Sequence, residues 1–394
     1  MPTASSADRP TGRPRVRFLA HGAERSGPPI VLLRLLRAWR ASDPGFDTEV
    51  VLARPGGLRP DYEQLSEVRT ARLDLRSPDR RLGRVAGRLA GPTAEQAVLR
   101  SLSLRRIGNQ PADLLLLNGA TADGVRLLRM VPEAPTALIG HELSTGWMGN
   151  LDREDRWLLL SRIRAVLAVS GAVRDYVVDH HGVDPEMVTV VPPPVDPPDS
   201  IPDRSSIDDR CVVLGGGVAD WRKAPELFVV TAYHCRRLAP EIDWQFRWFG
   251  GGTGDDPARW PLEFEVARLG LSDVVTFSGP LTDPAREFAN ADILLSTAKE
   301  DAAPLVTAEA AGWGLPIVAF DSGGATELIA EGSCGTVVEY PDVVGLAQAI
   351  VDLARQPDRR RALGGSGARQ VRATRSSSAV ASAVAYWIRG VLDS

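Results

Sequence analysis

The sequence predicts an α/β protein built from two doubly wound parallel-sheet domains. Three observations carry this reading. Short apolar runs alternate with helix-length segments along nearly the whole chain, the pattern of parallel βαβ units. A seam holding six prolines in eleven residues (192–202) falls near the midpoint and separates two such series. The length, 394 residues, suits two domains, each able to bury a core without disulfide or metal staples.

Residues 1–14 lack the apolar core of a secretory signal and read as a disordered tail. The N-terminal domain, 15–191, opens with the strand RVRFLA (15–20), then a Gly/Pro turn and IVLLRLLRAW (30–39), apolar at helical spacing. TEVVLA (48–53), DLLLLN (113–118), TALIGH (136–141), AVLAVS (165–170) and TVVPP (189–193) are its further strands. Proline neither donates to a sheet nor continues a helix, so 192–205 is a stiff linker. The second domain, 206–372, repeats the alternation with CVVLGGG (211–217), WQFRWFGGG (244–252), VVTFSG (274–279), DILLST (292–297), PIVAFDSGG (316–324) and GTVVEY (335–340). A C-terminal helix over 373–394 is free to cross back to the N-terminal domain. Ligands of such sheets sit at the carboxyl ends of the strands, so a cleft faced by both domains is the expected site.

Composition narrows the function classes. The chain is 44% hydrophobic and 24% charged, with a net charge of −4, which argues against a nucleic-acid partner. No run approaches the roughly 18 apolar residues of a membrane span. Three cysteines (Cys211, Cys235, Cys334) without a C-x-x-C spacing form neither a disulfide nor a zinc framework, and the expectation is a soluble protein of the reducing cytoplasm. Of 46 cations 44 are Arg, so the two lysines, Lys223 and Lys299, stand out.

Several chemistries drop out. There is no D-x-D, no G-x-x-x-x-G-K-[ST] and no G-x-S-x-G. His141-Glu142 starts like H-E-x-x-H, but Thr145 stands where the second metal ligand belongs. What remains are loops at strand ends. Ser26-Gly27-Pro28-Pro29 opens a helix, where Gly27 lets backbone approach an anion; a plain βα turn is the alternative. Gly215-Gly216-Gly217 leads to Arg222-Lys223, two adjacent cations before a helix, suited to a diphosphate or forming a solvated charge pair. In STAKEDAAPLVTAEAAGWGLP, Pro304 starts a helix whose Leu305 and Val306 amides are free for phosphate oxygens. Asp301 and Glu309 bracket that start, the latter placed to accept ribose hydroxyls; a helix cap and a buried paired acid are the bland readings.

The spacing D-x(7)-E from Asp301 to Glu309, followed by Ala310, Gly314 and Pro316, resembles the E-x(7)-E region of glycosyltransferase family 4. Residues 26–36, 169–196 and 215–228 are similar to further stretches of that family, so the likeness covers nearly the whole chain. The resemblance implies a GT-B fold, two Rossmann-like domains facing a central cleft that closes about the proline seam. It also implies sugar transfer from a UDP- or GDP-sugar with retention, without metal or other cofactor. It assigns Lys223 to the donor diphosphate, Glu309 to the ribose, Asp301 and the amides after it to donor sugar and phosphates, and His141 to the donor sugar. Arg222, Gly217 and the Gly27 loop are expected to complete the anion site. Three positions depart from the family pattern: Asp301 stands for Glu, Val218 for Arg and Ala224 for Gly. An epimerase of the same architecture and a non-catalytic sugar-nucleotide-binding partner are the rival readings. The acceptor class, whether glycan, lipid-linked or natural product, stays open.

One region has its own charge. Residues 69–107 carry ten Arg against three acids. Arg76, Arg80, Arg84 and Arg88 recur every four residues beside Leu82, Val85 and Leu89, a basic amphipathic helix compatible with an anionic membrane surface or an acidic acceptor.

Overall fold

The computed structural model describes residues 12–71, 78–108, 110–202, 210–251 and 259–394. Most of the expected tail, Arg76 and the end of the expected linker (203–205) lie outside them. The chain divides into two compact units. One takes in the described residues up to Ala168, Tyr176–Val191 and Ala381–Ser394; the other takes in Val169–Asp175 and Pro192–Val380.

In the first unit, seven described strands run parallel: β1 (Arg15–Ala20), β2 (Asp47–Leu52), β3 (Glu67–Thr70), β4 (Leu114–Asn118), β5 (Thr136–Gly140), β6 (Ile163–Ala168) and β7 (Val188–Val190). Their order is β3-β2-β1-β4-β5-β6-β7. The order reverses at β1 and β4, which leaves a crevice at their carboxyl ends. Every residue of LLLLN in β4 is buried, as a strand covered on both faces requires. The short edge strand β3 (EVRT) has no apolar run, which is why the alternation of hydrophobicity does not reveal it.

The helix Gly27–Ser42 buries Val31, Leu32, Leu35, Leu36 and Trp39, with Pro28 and Pro29 preset for its first turn. Trp39 packs edge-on against Phe46 at 5.5 Å and donates its indole N–H to the Ala381 carbonyl at 2.8 Å. Arg389 donates to the Pro44 carbonyl, a second tie from the C-terminal helix to this unit.

The basic region folds as a helical hairpin, Pro78–Ala90 and Pro92–Ile107, turning at Gly91 with φ +86°. Its seam is made of glycine. A Cβ at Gly83 would come within 2.9 Å of Leu99, and one at Gly87 within 2.8 Å of Glu95. That packing turns Leu82, Val85 and Leu89 outward, at 54, 53 and 82% exposure.

The second unit has six described parallel strands: β8 (Arg210–Gly216), β9 (Asp243–Phe249), β10 (Val275–Gly279), β11 (Ile293–Ser296), β12 (Ile317–Phe320) and β13 (Gly335–Val338). The order β10-β9-β8-β11-β12-β13 reverses at β8 and β11. The glycines ending β8 have a packing cause. A Cβ at Gly215 would strike Phe228 and Trp248 at 2.7 Å, and one at Gly216 would strike Phe249 at 2.8 Å. These two glycines make room for aromatic rings on the two faces of the sheet. The proline seam is anchored to this unit, since Val195 is buried and its N–H donates to the Arg375 carbonyl at 2.7 Å.

One charged pair crosses the first core. Arg17 and Glu49 face each other in register on β1 and β2, 1% and 2% exposed, with Arg17 Nε donating to Glu49 at 2.8 Å. Arg69 on β3 adds a contact to Glu49 at 3.2 Å. Removing one member of such a pair strands a buried charge, so Arg17→Met should lower unfolding stability by about 3–5 kcal/mol. Arg17→Met combined with Glu49→Leu should recover most of that loss, and urea melts of the three proteins check both statements.

Candidate functional site

In the second unit the site grows from the turn after β8. Asp220 organises it: its carboxylate accepts from Lys223 N at 2.9 Å and its carbonyl from Ala224 N at 3.0 Å. Ala224 takes the left-handed conformation (φ +49°) where a side chain costs roughly 1–2 kcal/mol, and Pro225 then starts the helix Pro225–Leu238. The buried hydroxyl of Thr297, just past β11, lies 3.1 Å from the Lys223 carbonyl and 2.9 Å from that of Ala224. The turn is thereby pinned to the neighbouring strand end. Gly217 (φ +139°) gives the Lys223 stem its path, since a Cβ there would sit 3.2 Å from Lys223 Cε.

Lys223 Nζ pairs with the Asp301 carboxylate. Arg222 lies 3.6 Å from the same carboxylate and donates to the Glu300 carbonyl at 3.3 Å. Asp301 is 6% exposed and is held from behind: its N–H donates to Ser322 O at 2.8 Å and its carbonyl accepts from Gly324 N at 2.9 Å. That approach explains the Gly323-Gly324 pair. Gly323 has φ +93°, and a Cβ at Gly324 would fall 2.3 Å from the Ala302 carbonyl oxygen. Three residues beyond Asp301, Pro304 caps the helix Leu305–Gly312, whose first internal bond runs from Ala308 N to Pro304 O. The amides of Leu305 and Val306 are therefore unused within the helix, and Glu309 lies about one turn along it. The second lysine braces the same turn: Lys299 pairs with Glu226 at 3.1 Å and sits 4.8 Å over the exposed Trp221 ring.

In the first unit, three carboxyl strand ends meet around His141, which follows β5. Its Nε2 lies 2.9 Å from Asn118 Oδ1 at the end of β4, and Asn118 Nδ2 donates to the Pro28 carbonyl at 3.1 Å. Burial, with His21 close by, lowers the His141 pKa to about 3. Glu142 turns back and accepts from Ala120 N at 2.8 Å and from His141 N at 3.1 Å. It fits a slot between glycines, with a Cβ at either Gly119 or Gly146 falling 2.5 Å from its atoms. Burial outweighs those N–H bonds and raises its carboxyl to about 7. Gly27 needs neither positive φ nor space, for nothing lies within 4 Å of a Cβ built there, and the approach to the helix start is open.

Of the residues expected from sequence, the structure joins Gly217, Arg222, Lys223 and Asp301 in one cluster, with Pro304, Leu305, Val306 and Glu309 on the helix that follows. His141 and Gly27 belong to the first unit, linked through Asn118 and Pro28. Sequence reasoning missed Asn118, Thr297 and the role of Gly323-Gly324. Asn118 did leave a signal, as the polar residue closing an otherwise unbroken apolar strand. Among the described residues, no group of three or more His, Cys, Asp or Glu is spaced to hold a metal ion, and no helix is long and apolar enough to cross a membrane.

The raised Glu142 carboxyl has a signed consequence. Between its ordinary value of 4.5 and about 7 the folded state binds more protons than the unfolded chain, so this group lowers stability as pH rises through that window. Glu142→Gln should flatten that part of the profile, measured by urea melts of both proteins across the window. An unchanged slope would place the titration elsewhere.

Family models match both units: "Glycosyltransferase Family 4" over residues 25–198 and "Glycosyl transferases group 1" over 209–356. A D-inositol 3-phosphate glycosyltransferase of Stackebrandtia nassauensis is 32% identical over 210 residues, covering 50% of this chain and 47% of that protein. A GDP-mannose-dependent alpha-(1-6)-phosphatidylinositol monomannoside mannosyltransferase of Mycolicibacterium smegmatis is 31% identical over 176 residues, covering 42% of this chain and 44% of that protein. The chain thus spans about half the length of the curated relatives it matches. Among solved structures, Anabaena HepE in complex with UDP-glucose aligns with a TM-score of 0.73 at 17% identity, covering 95% of this chain and 99% of that one. A glycosyltransferase from Rickettsia africae aligns with a TM-score of 0.71 at 15% identity, covering 96% and 99%. The two parallel sheets, the strand-end cluster around Lys223 and these matches make the chain a member of the family 4 (group 1) glycosyltransferases, with the GT-B fold.

Proposed function

We propose that the protein transfers a glycosyl group from a nucleoside diphosphate sugar to a hydroxyl acceptor, with retention at the anomeric carbon and without a metal. The observation that carries this is the Arg222–Lys223–Asp301 cluster at the β8/β11 reversal, next to the free amides of Leu305 and Val306. As the anomeric C–O bond breaks, its electron pair moves to the departing diphosphate, the acceptor oxygen bonds the anomeric carbon on the same face, and the acceptor's proton passes to a diphosphate oxygen. Nitrogen donors held in place beforehand stabilise that charge without reorganising. Asp301 holds the Lys223 ammonium until the diphosphate shares it, and Glu309 receives the ribose hydroxyls. The relative that uses GDP-mannose and the structural neighbour holding UDP-glucose support a UDP- or GDP-sugar donor. The inositol-phosphate and phosphatidylinositol relatives support a phosphorylated polyol or lipid-linked acceptor over a plain glycan or natural product.

Lys223→Ala should lower turnover by roughly 10²–10³, the scale of removing one oxyanion donor. Nucleotide release followed with and without acceptor checks the class as well. Release that needs acceptor supports transfer; donor conversion without acceptor indicates an epimerase, and neither indicates a binding partner.

The hairpin favours a second element of this reading, contact with an anionic bilayer. Leu82, Val85 and Leu89 form an exposed stripe, and Arg81, Arg84 and Arg88 on the same helix are exposed beside it. A bilayer interface takes both, the stripe in the acyl boundary and the cations among phosphates. The chain should sediment with vesicles of phosphatidylcholine and phosphatidylglycerol but not with phosphatidylcholine alone. Each Arg→Ser change at these three positions should weaken that binding by about fivefold at low salt. Equal binding to both vesicle types, or to neither, removes this contact.

A further inference from the structure

We propose that Asn118 is a positioning residue that holds His141 as a hydrogen-bond acceptor for a substrate hydroxyl, not as an acid or base. The Pro28 carbonyl can only accept a hydrogen bond. The Asn118 group facing it at 3.1 Å must therefore be the NH₂, and the group 2.9 Å from His141 Nε2 must be the amide oxygen. An oxygen acceptor there requires Nε2 to carry the proton. In the neutral ring the lone pair then falls on Nδ1.

The ring stays neutral for reasons found in each element packed around it. From the segment after β1, His21 opposes a second positive charge; burial holds His21 itself below the ordinary range, against the pull of Glu24, 3.9 Å from its Nε2. Arg54 and Asp123 act on His21 with opposite signs. From β4 comes Asn118, a neutral amide that cannot stabilise an imidazolium as a carboxylate would. From the segment after β5, Glu142 directs one oxygen to the backbone N–H groups of Ala120 and His141. The direction of the His141 shift, well below the ordinary range, agrees with this arrangement. A ring so poorly basic is a weak proton carrier at neutral pH but a competent acceptor for an O–H. Asn118 is 1% exposed on a fully buried strand, so the lock is rigid, and through Pro28 it fixes the start of the Gly27 helix as well.

The inference rests on the reading of His141 as a residue at the transfer site, and the experiment separates the two. The full chain is labelled with ¹⁵N-histidine, and the His141 ring signals are assigned by their loss in His141→Gln. In the wild type the ring should show the neutral, Nε2-protonated pattern without titrating between about pH 5 and 8. Asn118→Asp places a carboxylate against Nε2 and should bring His141 protonation into that window. Its kcat should fall roughly ten- to a hundredfold, as for lost outer partners of functional histidines, and further as pH falls, with the donor KM little changed. A wild-type ring that titrates near 6.5 overturns the lock, and this needs no variant to fold. A folded Asn118→Asp protein whose ring still fails to titrate also overturns it. A locked ring with kcat indifferent to Asn118→Asp overturns the role at the transfer site while the ring assignment stands.

Discussion

The second unit is organised by the need to give a mostly buried lysine ammonium a partner. Lys223 has a side chain only 14% exposed, and a cation so placed loses hydration that something must replace. Asp301 replaces it. The pair forms because two chain turns are brought to adjoining strand ends, one after β8 and one after β11, and each turn is fixed independently. Thr297 and Asp220 hold the lysine turn by its backbone; Ser322 and the Gly323-Gly324 backbone hold the aspartate turn. The aspartate does not reach for the lysine along a flexible stem. Its short side chain is delivered by backbone, which is the arrangement a preorganised anion site needs.

The first unit meets its task in the opposite way. Around His141 the groups are arranged to keep charge out. A neutral amide partners the ring, a carboxyl is raised toward neutrality by burial, and a second histidine discourages protonation. The two strand-end clusters share a topology, since each lies where strand order reverses, but not an electrostatic character. One stores paired charge suited to a diphosphate; the other offers uncharged hydrogen-bonding groups suited to hydroxyls.

Much of the fold was legible because buried parallel strands are largely apolar runs, as in LLLLN of β4, CVVL within β8 and IVAF of β12. The edge strand β3 was not legible, because four residues with two charges and no apolar run carry no periodic signal. At the site, the scarce lysine and the acid it pairs with, Lys223 and Asp301, were legible through residue type and position. Asn118 and Thr297 were not, because their function lies in bonds to carbonyls distant in sequence. The Gly215–Gly217 run was read as the approach to a diphosphate, and the structure gives two of its glycines a different cause. Two of its glycines yield space to Phe228, Trp248 and Phe249, and only Gly217 serves the lysine. Sequence marks where side chains must be absent; coordinates tell what fills the space.

Ala224 shows how such a site tolerates a poor local choice. An alanine in the left-handed region is less favourable than the glycine of the family pattern, yet here the methyl is fully buried and packing offsets part of that cost. The conformation is over-determined by its surroundings. Asp220 fixes the Ala224 N–H, Thr297 takes its carbonyl, and Pro225 sets the next φ. A glycine would relax the backbone but widen the unfolded ensemble and loosen the turn that aims Lys223. Two hydrogen bonds and a proline ring thus keep the strain in place, and with it the direction of the adjoining Lys223.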